Sequence, residues 1–285
     1  MPRGALVMTE QFEAEALLEL AQKLDQRGYD SVWIPELFAR EPIATAGYLL
    51  GRTRRIAVGT AIANVYVRDP HATAQVRQTL AELSGGRFLL GLGVSNAMVN
   101  AARGHEWQPP LAKMRAYLDA MDAVKVMGPA PAKPCPTYIA AHGPHLQRLG
   151  ALRTNGIITY LMTPEHTRQA RERIGPAAEI NPVALFLAER DPGVARRMAR
   201  EALKPYMGLE YYHREWRKLG FADADFASGG SDRLVDALVA WGDAQSLRKR
   251  AAAFESAGAT RVIAIAIGMQ TASGIDFAAL DALAP

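Results

Sequence analysis

The sequence predicts a (β/α)8 barrel of the TIM class. Along the 285 residues, short apolar runs rich in β-branched residues alternate with longer stretches of helical periodicity. Near-continuous apolar strands indicate a sheet that is covered on both faces, and such sheets are parallel. Eight strand-helix units in fewer than about 300 residues favour a closed barrel over an open sheet.

Residue types that commonly begin or end helices mark the limits of several of these elements. A helix predicted over residues 10–27 ends at Gly28, a residue type that commonly terminates helices. Pro70 lies where the first turn of a helix tolerates proline, and the helix that it opens runs to residues 84–86, Ser-Gly-Gly. The predicted strands are residues 4–8, 30–36, 55–62, 87–92, 136–141, 156–161, 182–188 and 261–267. The other predicted helices are residues 110–127, 144–154, one opened by 163–165, 191–207, 231–241 and 244–257.

One strand-helix unit is much longer than the others. Between residues 188 and 260 lie about 70 residues, whereas a βα unit needs about 30. We therefore expect a helical insertion between the seventh and eighth strands, over residues 189–243, within a single domain that spans residues 1–285. The aromatic residues of this insertion could pack against the barrel, or they could form a hydrophobic wall over a planar or apolar substrate. These are Tyr206, Tyr211, Tyr212, Trp216 and Phe221.

Composition excludes several classes of protein. The hydrophobic fraction of 49% is that of a globular protein with a sizeable core. The chain has 33 Lys and Arg against 29 Asp and Glu, and no basic run with interleaved aromatic residues, which argues against a nucleic-acid partner. No apolar stretch is long enough to span a membrane, and residues 1–15 turn acidic where a signal peptide needs an apolar region. The single Cys135 cannot form an internal disulfide, as is usual in the cytoplasm.

Candidate functional residues lie where the predicted strands end, because catalytic groups gather at the carboxyl ends of barrel strands. Gly91 and Gly93 would let a flat ring or a phosphate approach the backbone, although a tight turn would also explain them. Gly143 and Pro144 open a helix whose first N–H groups can bind an anion. The residues at these ends are Glu36 and the segments 64–66, 91–96, 142–144 and 161–163.

Familiar catalytic motifs are absent from the sequence. There is no GxSxG, Walker, HExxH or GxGxxG pattern. His142 and His145 have no cysteine or carboxylate nearby, so we expect no metal site. Glu36 has no second carboxylate at a strand end, which argues against hydrolysis by paired acids. Arg68 and Asp69 precede a helix, where they could form an ion pair or a turn, and the aspartate could cap the helix.

Two long segments of the sequence are distinctive, GYDSVWIPE at residues 28–36 and GTAIANVYVRDPHATAQVRQTLAELSGGRFLLGLGVSN at residues 59–96. They resemble the bacterial luciferase-like superfamily of flavin- or deazaflavin-dependent (β/α)8 proteins. Later segments are similar to one branch of it, the coenzyme F420-dependent oxidoreductases, so that the likeness extends nearly from end to end. Those segments are residues 110–123, 163–171, 211–221, 229–243 and 257–267.

The resemblance implies a cofactor ring against the ends of the second to fourth strands, with its phosphate on the loop after the fifth. It implies a non-prolyl cis peptide in the bulge at residues 63–65. The catalytic candidates are Glu36 and His105, and Tyr66 is a further candidate for the proton donor. The implied cofactor-binding residues are Ala63, Asn64, Val65, Gly91, Gly93, Ser95, Asn96, His142, Gly143 and Pro144.

Two positions depart from the family pattern. Asn96 stands where relatives commonly have histidine, and an amide can form hydrogen bonds but cannot act as a general base. Glu36 and Leu37 stand where the sugar-phosphate dehydrogenase branch has an acid-His pair, which argues against sugar-phosphate oxidation.

The resemblance implies hydride transfer between reduced coenzyme F420 and a small organic substrate, by a cytoplasmic homodimer without a membrane partner. Two alternatives remain open from the sequence. With FMN in the same site, the protein would be a monooxygenase. Without turnover, it would be a cofactor-binding barrel protein of another functional class.

Overall fold

The fold class is the one that the sequence predicts, a (β/α)8 barrel with a helical insertion between its seventh and eighth barrel strands. The computed structural model describes residues 1–271 and 274–285. The strands are β1 (Arg3–Leu6), β2 (Ser31–Ile34), β3 (Ala57–Thr60), β4 (Ala63–Asn64), β5 (Phe88–Gly93), β6 (Thr137–Ala140), β7 (Gly156–Tyr160), β8 (Glu179–Leu187), β9 (Val239–Trp241), β10 (Val262–Ala266), β11 (Gln270–Thr271) and β12 (Gly274–Ile275). In this numbering, the seventh and eighth barrel strands are β8 and β10.

Helices alternate with these strands along the chain. They are α1 (Ala14–Gln26), α2 (Pro42–Arg52), α3 (Pro70–Ser84), α4 (Ala97–Ala102), α5 (Pro110–Asp122), α6 (Pro144–Arg153), α7 (Pro164–Ile174), α8 (Pro192–Leu203), α9 (Glu210–Lys218), α10 (Asp223–Phe226), α11 (Asp232–Leu238), α12 (Ala244–Ser256) and α13 (Ala278–Leu283). Two short 3-10 turns lie at Thr9–Gln11 and Ala227–Gly229.

The chain divides into two units, which are described separately. The N-terminal unit comprises Gly4–Ile158 with Ala177–Glu179, and the C-terminal unit comprises Met1–Arg3, Thr159–Pro176 and Ile180–Pro285. In the N-terminal unit, β1, β2, β3, β5, β6 and β7 pair in parallel in that order, and β4 adds a short pairing beside the end of β5. In the C-terminal unit, β8 pairs in parallel with both β9 and β10.

Glycines make room for a large aromatic side chain inside the N-terminal unit. The Trp33 side chain is fully buried, and its ring centroid lies 6.0 Å from that of Tyr138. A methyl group on Gly4 would lie 2.7 Å from Trp33 Nε1, and one on Gly59 would lie 2.5 Å from Trp33 Cε3. The strands on both sides of β2 therefore need glycine at these levels, because packed interiors have no spare volume. Trp33 Nε1 donates a hydrogen bond to Ser31 Oγ at 2.8 Å.

Helix α3 forms as its end signals predict. The Asp69 carboxylate accepts a hydrogen bond from Ala72 N at 3.0 Å, and Pro70 occupies the first turn. Gly85 ends the helix with φ of +66°, a left-handed conformation that glycine adopts without strain. The prediction that Asp69 could cap this helix is confirmed.

Several boundaries differ from the prediction. Residues 239–241 were predicted as the end of a helix, but they form β9, which pairs with Leu185–Leu187 of β8. Val239 is buried and β-branched, so pairing with a neighbouring strand overrides the local helical pattern. The predicted helix over residues 10–27 begins only at Ala14, after the 3-10 turn. Helix α2 was not predicted, although Pro42 and the Glu41 cap mark its start.

No helix in the described part of the chain is both long and apolar enough to cross a membrane.

Candidate active site

Glu36, just beyond the end of β2, is buried and fully engaged by hydrogen-bond donors. Its Oε2 accepts a hydrogen bond from the backbone N–H of Asn64 at 2.6 Å and a second from Arg68 Nη1. Its Oε1 accepts from Arg68 Nη2 at 3.0 Å and lies 3.8 Å from Arg103 Nη1. Both carboxylate oxygens are therefore occupied by groups of the protein.

Arg68 connects Glu36 to a second carboxylate. Its Nη2 also donates to Glu41 Oε1 at 2.7 Å, and its side chain is only 13% exposed. Burial lowers the pKa of the Arg68 guanidinium, but pairing with Glu36 and Glu41 outweighs burial and the pKa is raised. Arg68 was not predicted as a site residue. Buried carboxylates are almost always paired, so the position of Glu36 at a strand end is the signal that could have prompted the search for such a partner.

Asn64 lies in the segment Ala63–Val65, which we call the bulge, and connects it to Asn100 of α4. Its Nδ2 donates to Asn100 Oδ1 at 2.8 Å, and its Oδ1 accepts from Tyr66 N at 3.0 Å. Asn100 Nδ2 in turn donates to Val94 O at 2.7 Å. Asn64 and Asn100 are both fully buried, and a buried polar network whose members are hydrogen-bonded to one another is rigid. Asn100 was not found by the sequence reasoning.

The non-prolyl cis peptide lies between Ala61 and Ile62. The prediction that placed it within residues 63–65 is wrong. Ala63 and Asn64 instead form β4, which pairs with Leu92 and Gly93 of β5 and requires extended backbone.

Gly91 and Gly93 are packed against the chain itself. A methyl group on Gly91 would overlap the Thr60 carbonyl oxygen and lie 2.8 Å from Ile158 Cδ1. The Thr60 hydroxyl donates to Gly91 O at 2.7 Å and accepts from Gly91 N at 3.0 Å. A methyl group on Gly93 would lie 2.6 Å from Ile62 Cδ1. Close packing of neighbouring strands is therefore sufficient to explain both glycines.

Ser95 and Asn96 form the turn after β5. Ser95 has φ of +57°, a left-handed conformation that is uncommon for residues other than glycine and that often marks functional sites. Its hydroxyl forms no hydrogen bond with the described residues and is partly exposed. The Asn96 side chain accepts a hydrogen bond from Val99 N at 2.9 Å and so caps α4. The turn presents a free hydroxyl beside a short capped helix.

The start of α6 has no side-chain cap. Gly143 is the capping residue and Pro144 occupies the first turn, so the next N–H groups, those of His145 and Leu146, receive no capping side chain. The fully buried Gln147 donates from Nε2 to His142 O at 2.8 Å and fixes the loop before the helix. Free N–H groups at the positive end of a helix suit an anion such as a phosphate.

His105 lies next to Tyr66 in the N-terminal unit. The two ring centroids are 6.0 Å apart, and His105 N donates to Asn100 O at 2.9 Å. Tyr66 stacks on Trp107 at 5.9 Å, and the Lys113 ammonium lies 4.7 Å from the Tyr66 ring centroid. Tyr66 and Lys113 also line a pocket of about 440 Å³, and the full lining comprises Val65, Tyr66, Val67, Arg68, Asp69, Pro70, Gln108, Lys113, Ala116 and Tyr117.

The insertion aromatics form a cluster within the C-terminal unit. Tyr206 lies edge-on to Tyr160 at 5.2 Å, and Tyr212 stacks on Trp216 at 5.4 Å. Trp216 is fully buried and donates from Nε1 to Leu161 O at 2.9 Å. Burial raises the pKa of Tyr211 to about 12 and holds those of Tyr160 and Tyr212 well above their usual value. Within this unit the aromatic residues serve as packing.

Other chemistry finds little support. The described residues contain no group of three His, Cys, Asp or Glu side chains that could hold a metal ion. Burial raises the pKa of the Cys135 thiol to about 12, which leaves it protonated and unreactive at neutral pH.

Comparison with known proteins identifies the family. The model of the luciferase-like monooxygenase family matches residues 1–261. The chain belongs to the luciferase-like monooxygenase family. As a member of this group it is an enzyme.

One sequence relative and two solved structures of similar fold illustrate what the chain resembles. The chain is 26% identical to a 5,10-methylenetetrahydromethanopterin reductase from Methanolobus tindarius, over 86% of this chain and 88% of that one. Its fold is similar to that of an F420-dependent secondary alcohol dehydrogenase in complex with an F420-acetone adduct, with a TM-score of 0.74, 18% identity and 93% of each chain covered. It is also similar to the FMN complex of the oxygenating constituent of 3,6-diketocamphane monooxygenase from Pseudomonas putida, with a TM-score of 0.68, 16% identity, and 100% of this chain and 97% of that one covered.

Proposed function

We propose that this enzyme transfers a hydride between coenzyme F420, a deazaflavin, and a small organic substrate. A relative that matches 86% of the chain is named a 5,10-methylenetetrahydromethanopterin reductase, and a solved structure of similar fold is a complex with an F420-acetone adduct. The observation that carries the proposal is the anchored bulge at Ala63–Val65. Glu36 accepts a hydrogen bond from the Asn64 backbone, Asn100 accepts one from the Asn64 side chain, and Ser95 lies in the turn after β5, the strand that pairs with this segment.

The residues present fit a flat cofactor with an anionic side arm. The bulge Ala63–Val65 would support the ring, while Ser95 and Asn96 would bind its polar edge. Gly91 and Gly93, which pack against Thr60 and Ile62, would contribute by letting the neighbouring strands approach closely. The first N–H groups of α6, with the loop at His142, Gly143 and Pro144, would bind the phosphate. When bound, the deazaflavin supplies a hydride at its central ring carbon.

The protein must also place a proton on the reduced substrate. Both Glu36 oxygens accept hydrogen bonds from Asn64 and Arg68, so we assign Glu36 to positioning rather than to proton transfer. His105 is partly buried, and its position is fixed by its backbone bond to Asn100. We propose that its imidazole donates the proton to the substrate heteroatom, with the Tyr66 hydroxyl as the alternative donor.

The second candidate is an FMN-dependent monooxygenase. The similarity of fold to an FMN-bound oxygenating enzyme favours it, because the same strand ends would support either tricyclic ring. In that case the site would have to admit molecular oxygen as well as the organic substrate.

Side-by-side titration with the two cofactors distinguishes the candidates. We expect saturable quenching of F420 fluorescence, weaker binding of FMN, and anaerobic oxidation of reduced F420 by at least one member of a panel of ketones, enones and imines. Tight binding of FMN with substrate-dependent oxygen consumption would favour the monooxygenase. Binding of neither cofactor would refute both candidates. Light scattering on the same sample tests the proposed homodimer.

A further inference from the structure

We propose that Arg68 is a positioning residue that holds the Glu36 carboxylate against the backbone amide of Asn64 and thereby fixes the bulge at Ala63–Val65. The consequence for catalysis rests on the function proposed above, in which this bulge supports the cofactor ring. The structural part of the proposal, that Arg68 sets the conformation of the bulge, stands on the contacts alone.

Arg68 is itself held in one orientation by two acids of the segment that connects β2 to α2. Its guanidinium pairs with both oxygens of Glu36 and, through Nη2, with Glu41 Oε1 at 2.7 Å. The other oxygen of Glu41 accepts from Ala44 N at 2.6 Å and caps α2. A guanidinium that bridges two carboxylates in a planar fork has little freedom to rotate, unlike a lysine ammonium.

The Glu36 carboxylate transmits this constraint to the bulge. Its Oε2 accepts from Arg68 Nη1 and from Asn64 N, so the amide of the bulge donates to a charged acceptor, which makes a strong hydrogen bond. On the other side, the Asn64 side chain is held by Asn100. Asn64 is therefore fixed at both its backbone and its side chain.

Loss of Arg68 would release one of these two restraints. Among the residues that the structure describes, Arg103, whose Nη1 lies 3.8 Å from Oε1, is the cation that would remain near the carboxylate. A buried carboxylate without a close partner is unfavourable, so Glu36 would turn toward solvent or take up a proton. Either change weakens its bond to Asn64 N. In this proposal Glu36 acts through its negative charge and its position, and it does not transfer a proton.

The test compares Arg68→Met and Arg68→Lys with a matched control, Arg196→Met. Arg196 also bridges two carboxylates, Asp232 at 2.8 Å and Asp236 at 2.6 Å, but it lies in the C-terminal unit and has no part in the proposed site. Three quantities are measured on the full-length protein: the melting temperature, hydrogen exchange of backbone amides in residues 61–68, and the Kd for F420 from fluorescence quenching.

We expect Arg68→Met to accelerate amide exchange in residues 61–68 and to raise the Kd for F420, each by at least about tenfold, at a temperature where the variant is fully folded. Arg68→Lys should give intermediate values, because lysine restores the charge without the fork. Arg196→Met should leave both values at those of the wild type. If Arg68→Met does not fold, Arg68→Lys decides the question through the same two measurements.

Unchanged exchange in residues 61–68 would overturn the proposal. Faster exchange with an unchanged Kd would also overturn it as a claim about the site, since the pair would then serve stability alone. If the wild-type protein binds neither F420 nor FMN, the proposed function fails, and the exchange measurement still decides whether Arg68 fixes the bulge.

Discussion

The substitution Gly91→Ala tests whether this glycine serves internal packing or ligand approach. A methyl group there would overlap the backbone carbonyl of Thr60, which cannot rotate away, and would lie 2.8 Å from Ile158 Cδ1. Overpacking a well-filled interior costs about 1–3 kcal/mol, and a clash with backbone places this case at about the upper end. With about 2.1 cal/mol/K per residue, the unfolding entropy of 285 residues is about 0.6 kcal/mol/K. We therefore expect Gly91→Ala to lower the melting temperature by about 5 °C.

Gly51→Ala is the matched control for this prediction. Gly51 lies in α2 with nothing within 4 Å of an added methyl group, so alanine should stabilise the helix by about 0.5–1 kcal/mol. The assay is thermal unfolding of both variants and the wild type, followed by circular dichroism. A melting temperature for Gly91→Ala equal to or above that of the wild type would refute the reasoning, and would show that the space beside Gly91 is open to a ligand.

Three further predictions concern single residues. Cys135 should not react with a disulfide reagent at pH 8 in the native protein, because burial raises its pKa from 9.0 to about 12; rapid labelling before unfolding would contradict this. Because the folded protein holds the thiol proton more tightly than the unfolded chain does, the protonated thiol stabilises the fold fully below pH 9.0. This stabilisation is lost as the pH rises through about 12. Asn96→Ala should cost about 1 kcal/mol by removing the cap of α4, whereas Asn96→Asp should keep it, as urea unfolding would show. Under the proposed function, His105→Gln should lower kcat by about 10²–10⁴ with little change in the Kd for F420, and equal kcat values would exclude His105 as the proton donor.

Secondary structure could be predicted where its signals are local. Helix α3 was placed correctly because Asp69, Pro70 and Gly85 determine its ends within the helix itself. Residues 239–241 were misassigned because their strand conformation depends on pairing with β8, more than fifty residues earlier in the sequence. A pattern confined to neighbouring residues contains no information about such a partner.

The site could be predicted only in part, for a related reason. Glu36 was identified from its place at a strand end, but its partner Arg68 follows 32 positions later and meets it only in the folded chain. Gly91 was noted, yet the sequence could not distinguish space for a ring from the Thr60 carbonyl that fills it. The position of the cis peptide was predicted from resemblance and was two residues too far along the chain.

A crystal structure of the protein in complex with F420 tests the central claim most directly. We expect electron density for the ring against Ala63–Val65, with its polar edge at Ser95 and its phosphate at the first N–H groups of α6. A complex with the ring bound elsewhere, or these strand ends empty at saturating cofactor, would contradict the account.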